Sequence, residues 1–462
     1  MKELKTDVAV IGAGTAGLAA YRSVLRAGKQ AILIEGGPYG TTCARVGCMP
    51  SKLLIAAAHV AHTASHTDPF GIHIDGHVRV DGRKVMARVK AERDRFVGFV
   101  LDSVENIPAD HKLRGYARFV GSHTLEVDAH TRVQAQAVVI ATGSEAFVPP
   151  SFRELGDRLV VNDDVFEWHD LPKRVAVFGP GVIGLELGQA LARLGVDVRV
   201  FGVSGSLGGI NDPQVRQVAK KIFQKEFYLD PDARVLHTKR VGDEVEIKYI
   251  TLDNTERTER FDYVLMAAGR RPLMAGLDLA QAGVEVSAKG VPAFNRLTMQ
   301  IGALPIFIAG DANADLPLLH EASDEGHIAG ENAANFPHVH AGQRRAPLGV
   351  VFTEPQIATV GVFPGQDQSH YVTGHLNFES QGRSRVILEN HGLLNVYAEK
   401  ETGRFMGAQM VGPRAEHLGH LLAWALQQNM TVQEMLAMPF YHPVIEEGLR
   451  TALRDAAAQL QA

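Results

Sequence analysis

The chain has no excess of positive charge. Its formal net charge is -5 with an isoelectric point near 6.5, and no Lys/Arg run is present, so nucleic acid is not an expected partner. Long apolar runs are also missing, and without one of bilayer-spanning length no membrane contact is expected. The first ten residues pass straight into a short strand-like run with no signal-peptide core or cleavage site, so the expected location is cytoplasmic. No low-complexity linker interrupts the chain. Cysteine is almost absent, with only Cys43 and Cys48 in 462 residues. What remains is ordinary globular composition, 45% hydrophobic and 21% charged, in a chain too long for a single core. Two to four domains are expected.

The two cysteines lie five residues apart, a spacing that chance would produce in roughly 2% of such chains. A structural disulfide competes with a redox pair, but a reducing compartment disfavours it and a short loop gains little chain entropy from closure. Two sulfurs without nearby partners do not fill a tetrahedral zinc site, so no metal is expected. Cys43-Ala44-Arg45-Val46-Gly47-Cys48 leads into Met49-Pro50-Ser51-Lys52 and then a helix-forming run at 53–59. Pro50 suits a first helical turn. Cys48 is thereby expected at a helix N-terminus, where unpaired amides and the macrodipole favour a thiolate, which leaves Cys43 as the exchange sulfur.

Two glycine fingerprints organise the rest. About 0.5 chance GxGxxG matches are expected in a chain this rich in glycine, so flanking pattern decides. Gly12-Ala13-Gly14-Thr15-Ala16-Gly17 follows an apolar strand at 8–11 and opens a helix; a second strand at 31–34 ends in Glu35, where an acid binds a ribose hydroxyl. Gly179-Pro180-Gly181-Val182-Ile183-Gly184 likewise follows the strand at 175–178 and opens a helix to about 194. Both read as dinucleotide sites, with glycines that let backbone approach a pyrophosphate. After the second fingerprint the strand at 198–201 ends in Gly202, with neither a carboxylate nor an arginine in the ribose position.

Taken in order, these motifs, together with Ala141-Thr142-Gly143, Ala268-Gly269-Arg270-Arg271-Pro272, Ala309-Gly310-Asp311 and His442-Pro443-Val444-Ile445-Glu446-Glu447, resemble the pyridine nucleotide-disulfide oxidoreductases over nearly the whole chain. Within that family the likeness is greatest to the dihydrolipoamide dehydrogenases. The resemblance implies an α/β protein with two Rossmann-like domains, one for FAD and one for NAD(P), and a C-terminal α+β dimerisation domain. Domain limits follow as 1–149 (FAD), 150–271 (NAD(P)), 272–345 (return to the FAD domain) and 346–462 (interface). It also implies a homodimer with shared active sites.

Carried onto this sequence, the resemblance assigns FAD to Gly12, Gly14, Gly17, Glu35, Thr42, Lys52, Gly115, Ala117, Thr142, Gly143 and Asp311. It assigns NAD(P) to Gly179, Gly181, Gly184, Gly269 and Arg270, with NAD(H) favoured over NADP(H). Catalysis falls to Cys43, Cys48, Lys52, its partner Glu186, and the acid-base dyad His442 and Glu447. In isolation Lys52 reads as solvated, Glu186 as a helix-surface residue and Asp311 as a turn former; their order among the other motifs reverses that.

Two cysteines in total exclude the members that need further C-terminal thiols, such as mercuric reductase and the large thioredoxin reductases; the pair itself excludes soluble transhydrogenases. Dihydrolipoamide, glutathione-like disulfides or another small disulfide remain, and a lipoyl domain is expected to be met in trans. The run from Leu316 to Gly326 resembles the lipoamide-dehydrogenase version. Thr41 replaces a usual glycine, Ala44-Arg45 a more common Leu-Asn, and Gly202 the usual acid. A flavin-dependent quinone or dye reductase that ignores its thiols is the competing enzyme class.

Overall fold

The computed structural model describes residues 1–461, and the chain divides into two compact units. The first comprises Met1–Pro50, Val89–Phe147 and Gly269–Arg344. Its central strand Lys2–Ile11 is flanked in parallel by Ala31–Glu35 and Thr131–Ile140. Ile306–Ile308 pairs in parallel with Thr131–Ile140, and Lys112–Arg114 with Ala31–Glu35. An antiparallel flap of Thr124–Val127 and Ala117–Gly121 completes the sheet. Central strands covered on both faces read as unbroken apolar runs, and Val8, Ala9 and Val10 are fully buried as that requires.

Helix Thr15–Arg26 packs on helix Leu319–Asn335 through small residues. A Cβ on Gly326 would lie 2.3 Å from the Ala16 carbonyl oxygen, and one on Gly330 2.4 Å from that of Ala20. Any side chain at either position would push the two helices apart.

The second unit comprises Ser51–Arg88, Val148–Ala268 and Arg345–Ala462, of which the last residue is not described. It contains another parallel sheet, ordered Tyr228–Asp230, Asp197–Phe201, Arg174–Phe178, Tyr263–Met266 and Leu159–Val160. A three-stranded antiparallel meander spans Arg234–Val241, Glu244–Ile250 and Glu256–Phe261. C-terminal to these, a five-stranded antiparallel sheet carries helices Ala415–Gln427 and Glu447–Leu460 over a core that includes Phe378, Phe405, Leu418 and Leu453. The fold is therefore the α/β class with two dinucleotide-binding sheets and a C-terminal α+β portion. Among the described residues no helix is long and apolar enough to cross a membrane.

Candidate functional site

At the end of the strand Lys2–Ile11 the chain turns through Gly12, whose φ of +107° only glycine adopts readily. A Cβ there would sit 2.2 Å from the Ala141 carbonyl oxygen, and one on Gly17 would sit 1.8 Å from that of Gly12. A Cβ on Gly14, by contrast, would meet nothing within 4 Å. Gly12 thus packs against the neighbouring Ala141 backbone and Gly17 against the turn itself, while Gly14 faces open space at the helix N-terminus, the arrangement a pyrophosphate site requires.

Glu35 braces the same turn, with Oε2 accepting from Ala13 N and Oε1 from Gly37 N, both at 2.7 Å. Gly115, at φ +138°, donates its N–H to the Glu35 carbonyl, and Ala117 lies two residues on. Thr142, followed by Gly143 at φ +73°, has a buried hydroxyl oxygen with no hydrogen-bond partner among the described residues. An open glycine, an acid at the end of the second strand and an orphaned buried hydroxyl fit the FAD implied by the resemblance.

Asp311 Oδ2 accepts from Ser144 Oγ at 2.6 Å. Arg270 reaches the same group, donating to Ser144 Oγ at 2.8 Å and to its carbonyl at 2.7 Å. Arg270 Nε lies 3.8 Å from Asp311 Oδ2, and both Gly269 and Arg270 fall in the first unit. Sequence reasoning missed what holds this loop. Glu325, fully buried, accepts from Gly310 N at 2.8 Å, Asn313 Nδ2 at 2.7 Å and Arg344 Nη1 at 2.8 Å. Burial pushes its carboxyl above the ordinary range, against these donors.

Cys43 lies in the short helix Thr42–Val46, and Cys48 is the first residue of the 18-residue helix Cys48–Ser65. Gly47 lets the chain double back: a Cβ on it would meet Thr42 O at 3.1 Å and Cys43 Cα at 3.3 Å. Thr41, standing where a glycine is usual, adopts φ +58° and ψ 149°, a region that costs a β-branched residue about 1–3 kcal/mol.

Cys43 also lines a cleft of about 430 Å³. Its walls are helical stripes: Thr15, Leu18, Ala19 and Arg22 from one helix, Phe96, Phe99, Val100 and Ser103 from another, and Leu319, Ser323 and His327 from a third. Each stripe runs roughly 10 Å at 1.5 Å per residue. The far end is basic. Arg22 donates to Ser103 Oγ at 2.7 Å, and Arg26 lies 2.9 Å from His327 Nδ1. No local motif marks Arg22 or His327, since only helix packing gathers the three stripes.

One turn beyond Cys48, Lys52 Nζ lies 2.7 Å from Glu186 Oε2 and 4.5 Å from the Phe352 ring centre. Glu186 is buried, and its other oxygen accepts from Phe352 N at 2.9 Å. Glu186→Ala would strand both donors, and the expected cost is about 2 kcal/mol, below the fully buried case because Lys52 keeps some solvent. A thermal midpoint equal to that of the parent would show that the pair contributes nothing net.

The second fingerprint repeats the first. Gly179 turns at φ +106° with its Cβ position 2.3 Å from the Ala267 carbonyl oxygen; the Cβ position of Gly184 is 1.9 Å from Gly179 O, and that of Gly181 is open.

In the C-terminal portion, His442 Nδ1 lies 3.0 Å from both oxygens of Glu447, the first residue of its helix. With Nδ1–H donated to the carboxylate, Nε2 carries the lone pair. The His442 hydrogen bond holds the Glu447 carboxyl below the usual carboxylate range. His442 itself is 80% exposed in the single chain.

Comparison with known proteins gives matches along the chain. Residues 6–326 match the family described as pyridine nucleotide-disulphide oxidoreductase, and residues 348–453 match its dimerisation domain. Dihydrolipoyl dehydrogenase of Haloferax volcanii is 30% identical over 98% of this chain and 97% of the relative. One from Bacillus subtilis is 30% identical over 96% and 97%. Among solved structures, LpdA from Mycobacterium tuberculosis superposes with a TM-score of 0.83 at 24% identity, covering 97% of this chain and 99% of that one. The HOCl-induced flavoprotein disulfide reductase RclA from Escherichia coli gives 0.81 at 20%, covering 98% and 99%. At these identities the two structures speak for the fold.

Proposed function

This chain belongs to the pyridine nucleotide-disulphide oxidoreductase family, a class of FAD-dependent enzymes, and on that premise we propose that it oxidises dihydrolipoamide with NAD through the Cys43/Cys48 pair. The observation that carries the reading is the unequal placement of the two sulfurs: Cys43 lines the cleft and Cys48 begins a helix. His442, oriented by Glu447, takes a proton from a substrate thiol, and the thiolate attacks Cys43 Sγ of the oxidised pair, releasing the Cys48 thiolate. The second substrate thiol then attacks the substrate sulfur of the mixed disulfide, closing the cyclic disulfide and freeing Cys43. Bound FAD supplies the two-electron relay from the Cys48 thiolate to the nicotinamide. Lys52, anchored by Glu186, holds positive charge one turn beyond that thiolate.

The match to the dimerisation domain supports a homodimer, and within it our reading has His442 of one subunit serve Cys43 of the other. Steady-state turnover with dihydrolipoamide and NAD, set against oxidised glutathione with NADPH, tests the substrate. Activity in the second pair alone rejects dihydrolipoamide.

The basic end of the cleft favours a second reading, in which the disulfide carries a carboxylate. Arg22→Ala is then expected to raise KM for lipoate about tenfold, the worth of one hydrogen bond to a charged group, and to leave KM for neutral lipoamide unchanged. Equal shifts for both would remove the carboxylate from the cleft.

A further inference from the structure

We infer that Asp232 supplies the ribose-binding carboxylate that the second fingerprint lacks at its usual place, and that it makes this site select NAD(H) over NADP(H). The inference rests on reading Gly179 to Gly184 as the nicotinamide-dinucleotide cradle.

Hydrogen-bond register sets the equivalence. Gly12 N donates to Ile34 O at 2.8 Å, and Gly179 N to Phe201 O at 2.8 Å, so the residue after each acceptor, Glu35 in one half and Gly202 in the other, occupies the same position. At the first cradle, Glu35 holds Ala13 N. At the second, the residue matching Ala13 is Pro180, which has no N–H to offer. A Cβ on Gly202 would also lie 2.6 Å from Pro180 Cγ and 2.6 Å from Pro231 O. Pro180 and Gly202 are therefore a coupled pair: the ring removes the donor and fills the space an acid at 202 would need.

The neighbouring strand supplies what is missing. Segments 202–205 and 230–233 are joined by Gly202 N to Asp230 O at 2.7 Å, Ala233 N to Gly202 O at 2.9 Å and Gly205 N to Pro231 O at 3.1 Å. Asp232 Oδ1 accepts from Ser204 N at 2.9 Å, which fixes this exposed carboxylate on the loop that leaves the strand Asp197–Phe201. A second acid, Asp230, is buried behind it, its Oδ1 accepting from Asp232 N at 3.1 Å. From 202 to 212 there is no Lys or Arg. A ribose hydroxyl donates well to such a carboxylate, whereas a 2′-phosphate, with nearly two negative charges, is repelled by it. The nearest cation along the chain is Arg234, which opens the outer strand Arg234–Val241.

Titration of the FAD-loaded enzyme with 5′-AMP and with 2′,5′-ADP reads the adenosine end without turnover. The parent is expected to prefer 5′-AMP by tenfold or more. Asp232→Asn should weaken 5′-AMP and tighten 2′,5′-ADP until the preference is lost, while Arg234→Ala changes neither. Unchanged affinities in Asp232→Asn, with NADH still bleaching the parent's flavin, overturn the role of Asp232 and leave the cradle standing. Failure of both nicotinamides to bleach the parent's flavin overturns the cradle reading as well. A parent preference for 2′,5′-ADP that Arg234→Ala abolishes would transfer the selectivity to phosphate recognition and end the proposal.

Discussion

Cys43→Ser is expected to lower turnover with every dithiol and disulfide by at least about 1,000-fold while the bound flavin is still reduced by NADH. Serine preserves the short helix Thr42–Val46 and the shape of the cleft, but its hydroxyl cannot form the mixed disulfide. Cys48 cannot substitute, because the same variant leaves it without a partner sulfur to close the oxidised pair. The two measurements separate the enzyme classes. Steady-state dithiol oxidation should vanish and rapid-mixing flavin bleaching should persist. Dithiol turnover that survives the substitution would move the chemistry to the flavin alone, as in a quinone or dye reductase.

His442→Gln comes next in size, with an expected fall of about 100- to 10,000-fold in turnover and flavin reduction by nicotinamide largely intact. Glutamine can still donate to Glu447 but has no proton affinity near neutral pH. Glu447 sharpens the pH dependence. Its carboxyl is held below the usual range by the His442 hydrogen bond, so it stays ionised at and above ordinary carboxylate pKa values. The stabilisation from the pair is present there and is lost only as pH falls through the depressed value. A pH series of stability is accordingly expected to lose this contribution on acidification, and His442→Gln to lack that step. Turnover equal to the parent's would sink the assignment of the base.

The features legible in the sequence are those whose causes lie a few residues away. An apolar strand followed by GxGxxG and a helix is a local instruction, because the turn needs φ near +107° at Gly12 and space at Gly14 whatever the rest of the chain does. The helix start at Cys48 was readable for the same reason, from Pro50 and the run after it. The absent acid at 202 was visible as a gap, though the letters alone did not say what blocks it.

The structure alone revealed the rest. Glu325 beneath the Asp311 loop, Arg22 and His327 at the end of the cleft, and Asp232 on the loop after Gly202 all act on groups remote in sequence or carried by another strand. None has a motif, since a helix stripe of Thr15, Leu18, Ala19 and Arg22 reads equally well as a packing face or a cleft wall. By itself the sequence determined which chemistry the chain carries, two sulfurs and two dinucleotide turns, because backbone sterics and spacing are local. Tertiary structure decided what surrounds that chemistry, because packing and hydrogen bonding act between groups that only folding brings within reach.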